Sequence, residues 1–198
     1  MQRLTERIME YAGELPEGTP IAAKSLLHLG SRAAVDQTLS RLVRRGRLLR
    51  AGRGLYVRPI DTRYGVRAPS AEKLIEAIAN QRGEAVASSG AAAANALGLS
   101  QQVPVRTVYL TSGRSRKLKL GARVVELKHA PFWQLAMPNR QAGEAVRALA
   151  WLGPTKTMKA LQILKRKLSA AEFKEIVAAR ALLPSWIAQP ISKLIENG

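Results

Sequence analysis

Residues 31–57 read SRAAVDQTLSRLVRRGRLLRAGRGLYV, and this stretch decides the fold. Ser31 stands where a helix N-cap belongs, its hydroxyl free to accept a bond from the first turn, and the spacing predicts a helix from Arg32 to about Arg45, stopped by Gly46. Beyond it, Leu48-Leu49 and Leu55-Tyr56-Val57 read as two short strands around the cationic, glycine-rich tip Arg50-Ala51-Gly52-Arg53-Gly54, a β-hairpin. At ~100° per residue, Val35, Leu39, Leu42 and Val43 fall in one apolar arc that must face a core. Opposite lie Ala33, Gln37, Arg41 and Arg44, flanked by Ala34, Ser40 and Arg45; Asp36 sits near the edge of the apolar arc.

Upstream, Leu4, Ile8, Met9, Tyr11 and Ala12 form a helical stripe over Gln2 to Gly13, and the turn-forming run Glu14-Leu15-Pro16-Glu17-Gly18-Thr19-Pro20 follows. A second short helix is expected from Ala22 to Leu29, closed by Gly30. Three helices and a basic hairpin in this order are the layout of a winged helix-turn-helix, with the third helix as the recognition helix. That helix would be about 21 Å long, enough to lie in one major groove. Small residues at its start let it approach base edges, Gln37 can bond adenine bidentately, and Arg41 or Arg44 can reach guanine or phosphate. The candidate DNA contacts are therefore Ser31, Ala33, Gln37, Ser40, Arg41, Arg44, Arg45, Arg50 and Arg53. The competing reading is a merely solvated helix face; three arginines with no carboxylate opposite the apolar arc favour contact with DNA.

The charge agrees with that reading. The chain has 198 residues, 32 Lys+Arg against 14 Asp+Glu, a formal net charge of +18 and 46% apolar residues, so it has cores to bury and the charge is not that of a disordered basic tail. A globular enzyme acting on neutral metabolites gains nothing from such self-repulsion, whereas a polyanion binder gains affinity and encounter rate. From Arg41 to Arg58 there are seven arginines and no acid, and arginine's planar fork suits phosphate and guanine edges. Both parts of the chain are basic, with 13 cations against 6 acids up to Arg67 and 19 against 8 from Ala68 on. Asp61 to Pro69 is polar and proline-punctuated, which predicts a linker and two domains, 1–67 and 68–198. No apolar window is long enough for a membrane span and the first residues lack a signal peptide's apolar stretch, so a cytoplasmic protein is expected. The lack of cysteine fits a reducing compartment.

The second part predicts an α+β domain. Ser70 caps a helix that Gly83 ends, and the small-residue run Ser88 to Gly98 reads as a tightly packed helix. It lacks the Gly-Lys-Ser/Thr ending of a phosphate loop. Thr107–Thr111, Arg116–Leu120 and Arg123–Leu127 then alternate as a meander of three strands, a small antiparallel sheet. After a loop marked by Pro131, Pro138 and Asn139 the chain turns helical: 142–152, 155–167, 170–183 and 185–196. Arg114, Arg116, Lys117, Lys119, Arg123 and Lys128 place a second basic cluster on the sheet, and Lys156 and Lys159 a further one on a helix. Each reads either as a solvated face or as a surface for nucleic acid or an acidic partner.

Catalysis is not expected, for want of parts. Asp36 and Asp61 are the only aspartates and His28 and His129 the only histidines, so no Asp-x-Asp pair for two metal ions and no histidine-rich ligand set exist. The glutamates spaced one helical turn apart, such as Glu172 and Glu175, suit surface ion pairing, and no Gly-x-Ser-x-Gly elbow is present. Neither a metal nor a cofactor is expected.

The Ser31–Gly46 helix with Gly54-Leu55-Tyr56-Val57 closing the wing resembles the AbiEi-like antitoxins of abortive-infection type IV toxin–antitoxin systems. Ala96-Leu97-Gly98-Leu99-Ser100, Gln102-Val103-Pro104, Tyr109-Leu110-Thr111-Ser112-Gly113 and Val125-Glu126-Leu127-Lys128-His129-Ala130 look like that family's second domain. The resemblance implies a phage-defence regulator whose winged helix binds inverted repeats in its own promoter and represses it. It also implies a second domain that counters a nucleotidyltransferase-like toxin encoded alongside, without a stable complex between the two. A rival from another class is an RNA-binding or ribosome-associated module, suggested by basic clusters in both parts. The 5% aromatic content, with Trp133, Trp151 and Trp186 expected in the core, supplies few base-stacking platforms.

Overall fold

A computed structural model describes residues 3–196 and shows a mixed α+β protein with small antiparallel sheets and a helical C-terminal part. It packs as two compact units, one holding the chain up to Glu84 together with Arg116–Glu126, the other Ala85–Ser115 and the chain from Leu127 onward.

In the first unit, α1 (Leu4–Glu14) precedes β1 (Ile21–Ala22), α2 (Arg32–Arg44), β2 (Leu49–Gly52) and β3 (Leu55–Val57). Gln2, expected to open α1, lies outside the described residues. Ile8, Leu26, Val35, Leu39 and Leu48 are completely buried in one core. The expected helix 22–29 is a correction: Ile21 pairs with Tyr56 and Ala22 with Leu55, so the start of this segment is spent on a third strand, leaving a 3-10 turn, Ala23–Leu26. Ser25 Oγ donates to the Ala22 carbonyl there, 2.8 Å, a local side-chain bond that competes with regular helix. The resulting sheet, in the order β1-β3-β2, takes in the hairpin expected to be a wing.

Helix α2 begins and ends as its sequence dictates. Ser31 is extended and its Oγ accepts the Ala34 N–H. At the other end, Gly46 takes φ +68, which lets the Arg47 N–H reach the Leu42 carbonyl at 2.9 Å and satisfy an orphan acceptor. Ser31→Ala is expected to lower stability by about 1 kcal/mol and Ser31→Asp to leave it nearly unchanged, measured by urea unfolding.

The segment expected to be a linker is instead a hairpin, β4 (Ile60–Thr62) with β5 (Gly65–Arg67). Thr62 Oγ1 accepts the Tyr64 N–H and donates to the Gly65 carbonyl, a two-residue turn whose bonds the side chain completes. Then α3 (Ala71–Arg82) runs from the Ser70 cap to Gly83 in the left-handed region, and it belongs to the first unit. Gly18 packs so close to it that a Cβ would stand 2.9 Å from the Leu74 nitrogen. Glu17 beside it is paired with Lys73 and Arg67; the Lys73 hydrogen bond holds its carboxyl below the usual glutamate range.

The second unit opens with β6 (Val86–Ser88), which the sequence reading did not include, antiparallel to β7 (Thr107–Thr111). Between them α4 (Gly90–Ala96) is capped by Ser89. It is as close-packed as its small residues predict, since a Cβ on Gly90 would stand 2.5 Å from the Arg147 carbonyl oxygen. Next in sequence come β8 (Arg116–Leu120) and β9 (Arg123–His129), of which β8 and β9 up to Glu126 belong to the first unit and only the end of β9 to the second; the sheet order is β6-β7-β9-β8. This is not the expected meander: the loop after β7 crosses the end of β9, where His129 N–H donates to Ser115 Oγ at 2.9 Å and His129 Nδ1 meets the Gly113 carbonyl at 3.0 Å. A short turn, α5 (Phe132–Leu135), occupies the expected loop. Helices α6 (Gln141–Leu152), α7 (Pro154–Lys167), α8 (Ala170–Ala178) and α9 (Ser185–Glu196) then enclose a core of Leu149, Leu161, Leu164, Ile176, Ile187 and Ile191. In α8 the Ser169 N–H and hydroxyl both bond Glu172, which lowers that carboxyl's pKa. Trp133 and Trp186 pack against this core, as expected, but Trp151 is 42% exposed because its neighbours on one side are cleft and solvent.

Candidate nucleic-acid interface

The placement of the predicted contacts follows from which face of α2 is buried. Val35, Thr38, Leu39 and Leu42 go into the core, which turns Ala33, Gln37, Ser40, Arg41 and Arg44 outward, all exposed together with Ser31 and Arg45. The Arg32 guanidinium binds Asp36 at 2.8 Å, one turn on, so the helix's single acid is neutralised by the cation before it. Ser40 Oγ donates to the Asp36 carbonyl, 2.8 Å. Its oxygen lone pairs remain able to accept, but its proton is engaged.

The wing carries Arg50 and Arg53. Arg50 is in the strand rather than at the tip, where the register shifts between Arg50 and Gly52; Gly54, at φ +66, makes the turn. All seven arginines from Arg41 to Arg58 are exposed. Arg47, between helix and wing, belongs with them; the acid-free run signalled it, although helical periodicity did not.

Strand β8 packs beside β2 within this same unit: Ala51 and Leu118 are both buried, and Leu118 Cδ2 lies 3.8 Å from the position of a Cβ on Gly52. The alternation of β8 buries Leu118 and Leu120 and turns Lys117 and Lys119 out, with Arg123 exposed at the start of β9. Lys117 lies 3.5 Å from Glu126. Arg116 is drawn inward onto Glu84, 2.7 Å, an ion pair with both side chains under 20% exposed, so it ties β8 to the end of α3 rather than facing solvent. The basic cluster read along 114–128 is therefore divided. Arg116, Lys117, Lys119 and Arg123 lie in the unit that carries the winged helix, while Arg114 and Lys128, with Lys156 and Lys159 on α7, lie in the other. Arg114, Lys117, Lys119, Arg123, Lys128, Lys156 and Lys159 are all exposed.

Sequence reasoning missed the β4–β5 hairpin as a candidate surface. Its two turn residues are Arg63 and Tyr64, the guanidinium 4.7 Å from the ring centroid, and Tyr64 is 85% exposed. The alternation of Ile60, Thr62 and Val66 around a two-residue turn was the signal.

The first unit holds 19 cations against 10 acids and the second 13 against 4, so the winged-helix unit owes its field to the clustering of charge rather than to a larger excess. Among the described residues no helix is long and apolar enough to cross a membrane. No curated protein and no solved structure matches the chain significantly. A family model does match, over residues 7–175, a span that takes in α2, the β2–β3, β4–β5 and β8–β9 hairpins and the helices as far as part of α8; the chain belongs to DUF6088, a family of unknown function.

Proposed function

We propose that the chain is a sequence-specific, duplex-DNA-binding repressor that works as a cytoplasmic antitoxin. In this reading it silences its own toxin–antitoxin promoter through an inverted-repeat operator and counteracts a nucleotidyltransferase-like toxin. The observation that carries the DNA-binding part is the exposed, acid-free arginine series running from the last turn of α2 into the wing, on a helix whose opposite face is locked into a core. Gln37 and Arg41 stand one turn apart on that helix, able to read base edges, while Arg50 and Arg53 on the wing clamp phosphates. One helix reads one groove, so the inverted repeat engages two copies. The antitoxin part rests on the resemblance to the AbiEi-like family.

A gel shift on the chain's own upstream region tests the first part. Wild type is expected to shift a discrete fragment in the presence of excess unrelated duplex, and Arg41→Ala with Arg44→Ala to weaken that shift by at least about 30-fold, at 1–3 kcal/mol for each lost base or phosphate contact. Equal binding by the double variant would remove α2 from the interface. Stronger competition by structured RNA than by duplex DNA at matched salt would favour the RNA-binding reading. Restored growth of cells expressing the neighbouring toxin gene tests the second part.

A further inference from the structure

The second unit contains a cleft of about 530 Å³, within the range of small-molecule sites, that the DNA-binding reading does not use. Its apolar walls are Val108 and Leu110 of β7 on one side and Ala150 and Trp151 of α6 on the other; Arg106 and Lys128 contribute the cations. Among the described residues no acid lines it. Trp151, 42% exposed, leaves indole surface available for stacking.

Arg147, also in the lining, adds the decisive feature. It is 1% exposed, forms no ion pair, and its charge is met by two carbonyls, Pro138 at 3.1 Å and Gln134 at 3.5 Å, while its buried Nε has no hydrogen-bond partner. A buried cation whose charge is met only in part, by two carbonyls and the neighbouring Glu144, projects its field through a low-dielectric surround, and an anion nearby relieves it. Apolar walls, an accessible indole and cations on one cleft select for a ligand with a planar ring and a negative charge.

We propose that this cleft binds a small aromatic anion, its ring between Trp151 and the β7 face and its carboxylate, sulfonate or phosphate directed to Arg106, Lys128 and the field of Arg147. This does not depend on the DNA-binding reading.

The test uses the full chain and 1-anilinonaphthalene-8-sulfonate as probe. One saturable site is expected, with energy transfer from tryptophan that drops in Trp151→Phe. The uncharged analogue N-phenyl-1-naphthylamine is expected to bind at least tenfold more weakly. Arg106→Glu with Lys128→Glu is expected to weaken the anionic probe at least tenfold. Lys159→Glu with Lys174→Glu, the same charge change at exposed positions outside the lining, is expected to leave it unchanged. Equal loss in both double variants means attraction by net charge alone and overturns the site; equal affinity for charged and uncharged probes overturns the anion. Full binding by the Arg106/Lys128 variant with an unchanged circular dichroism spectrum overturns both.

Discussion

Raising the salt concentration from about 50 to 200 mM is expected to weaken operator binding about 10³-fold, with log K falling against log salt at a slope near −5. Each phosphate neutralised releases condensed counter-ions, about 0.9 per contact on duplex DNA. Six exposed arginines, Arg41, Arg44, Arg45, Arg47, Arg50 and Arg53, are clustered on the end of α2 and the wing. Fluorescence anisotropy with a labelled operator across a salt series measures the slope. The same experiment weighs the β8–β9 hairpin. If Lys117, Lys119 and Arg123 touch the backbone beside the wing, replacing them with glutamine flattens the slope by up to about three units and weakens specific and random duplexes alike. An unchanged slope would confine the interface to α2 and the wing. A wild-type slope above −2 would remove the phosphate-clamping role altogether.

Arg147→Ala is expected to cost about 3–5 kcal/mol of stability, the scale of a buried large-to-small change that also leaves acceptors unmet. Three losses combine. The Pro138 and Gln134 carbonyls lose their donor, and an unmet buried acceptor costs about 1–3 kcal/mol. A cavity also opens where the side chain was almost fully buried. And the loop after α5 that carries the Pro138 carbonyl is tightly fitted: Met137 sits at φ +57, and a Cβ on Gly143 would stand 2.0 Å from the Met137 carbonyl oxygen. Arg147→Met is expected to be much milder, because it keeps the stem's packing while removing a cation whose desolvation already pulls its pKa below the usual arginine value, partly offset by Glu144. Urea unfolding followed by tryptophan emission separates the two. An alanine variant within 0.5 kcal/mol of wild type would show that Arg147 does not hold this loop.

Local chemistry was legible in the sequence, and long-range packing was not. Ser31, Ser70 and Gly83 announce helix ends because caps are read by adjacent residues alone, and the α2 faces follow from a 3.6-residue period that the core then obeys. The 3-10 turn at 23–26 was misread as a helix because nothing near Ile21 signals that Tyr56 will pair with it. β6 is three residues long, too short for alternation to register. Trp151 was expected in the core, whereas it stands at the edge of a cleft, a feature that no local pattern announces. For the candidate site, the exposed arginines were readable from pattern. The division of the second basic cluster between the two units was not, since it depends on Leu118 and Ala51 sharing a core across more than sixty intervening residues.

That last arrangement bears on how the protein is made. The strand that covers β2 lies at 116–120, and the first unit draws on residues up to Glu126. When Glu84 leaves the ribosome α2 and the β2–β3 hairpin are already complete in sequence, yet the rest of the first unit, with the strand that packs beside β2, is complete only when the next 42 residues have emerged. At ordinary synthesis rates that is an interval of about 2–8 s. During it the nascent unit lacks the strand that packs beside β2, a point at which chaperone capture and misassembly compete with folding, and one that a fragment ending at residue 67 would never leave.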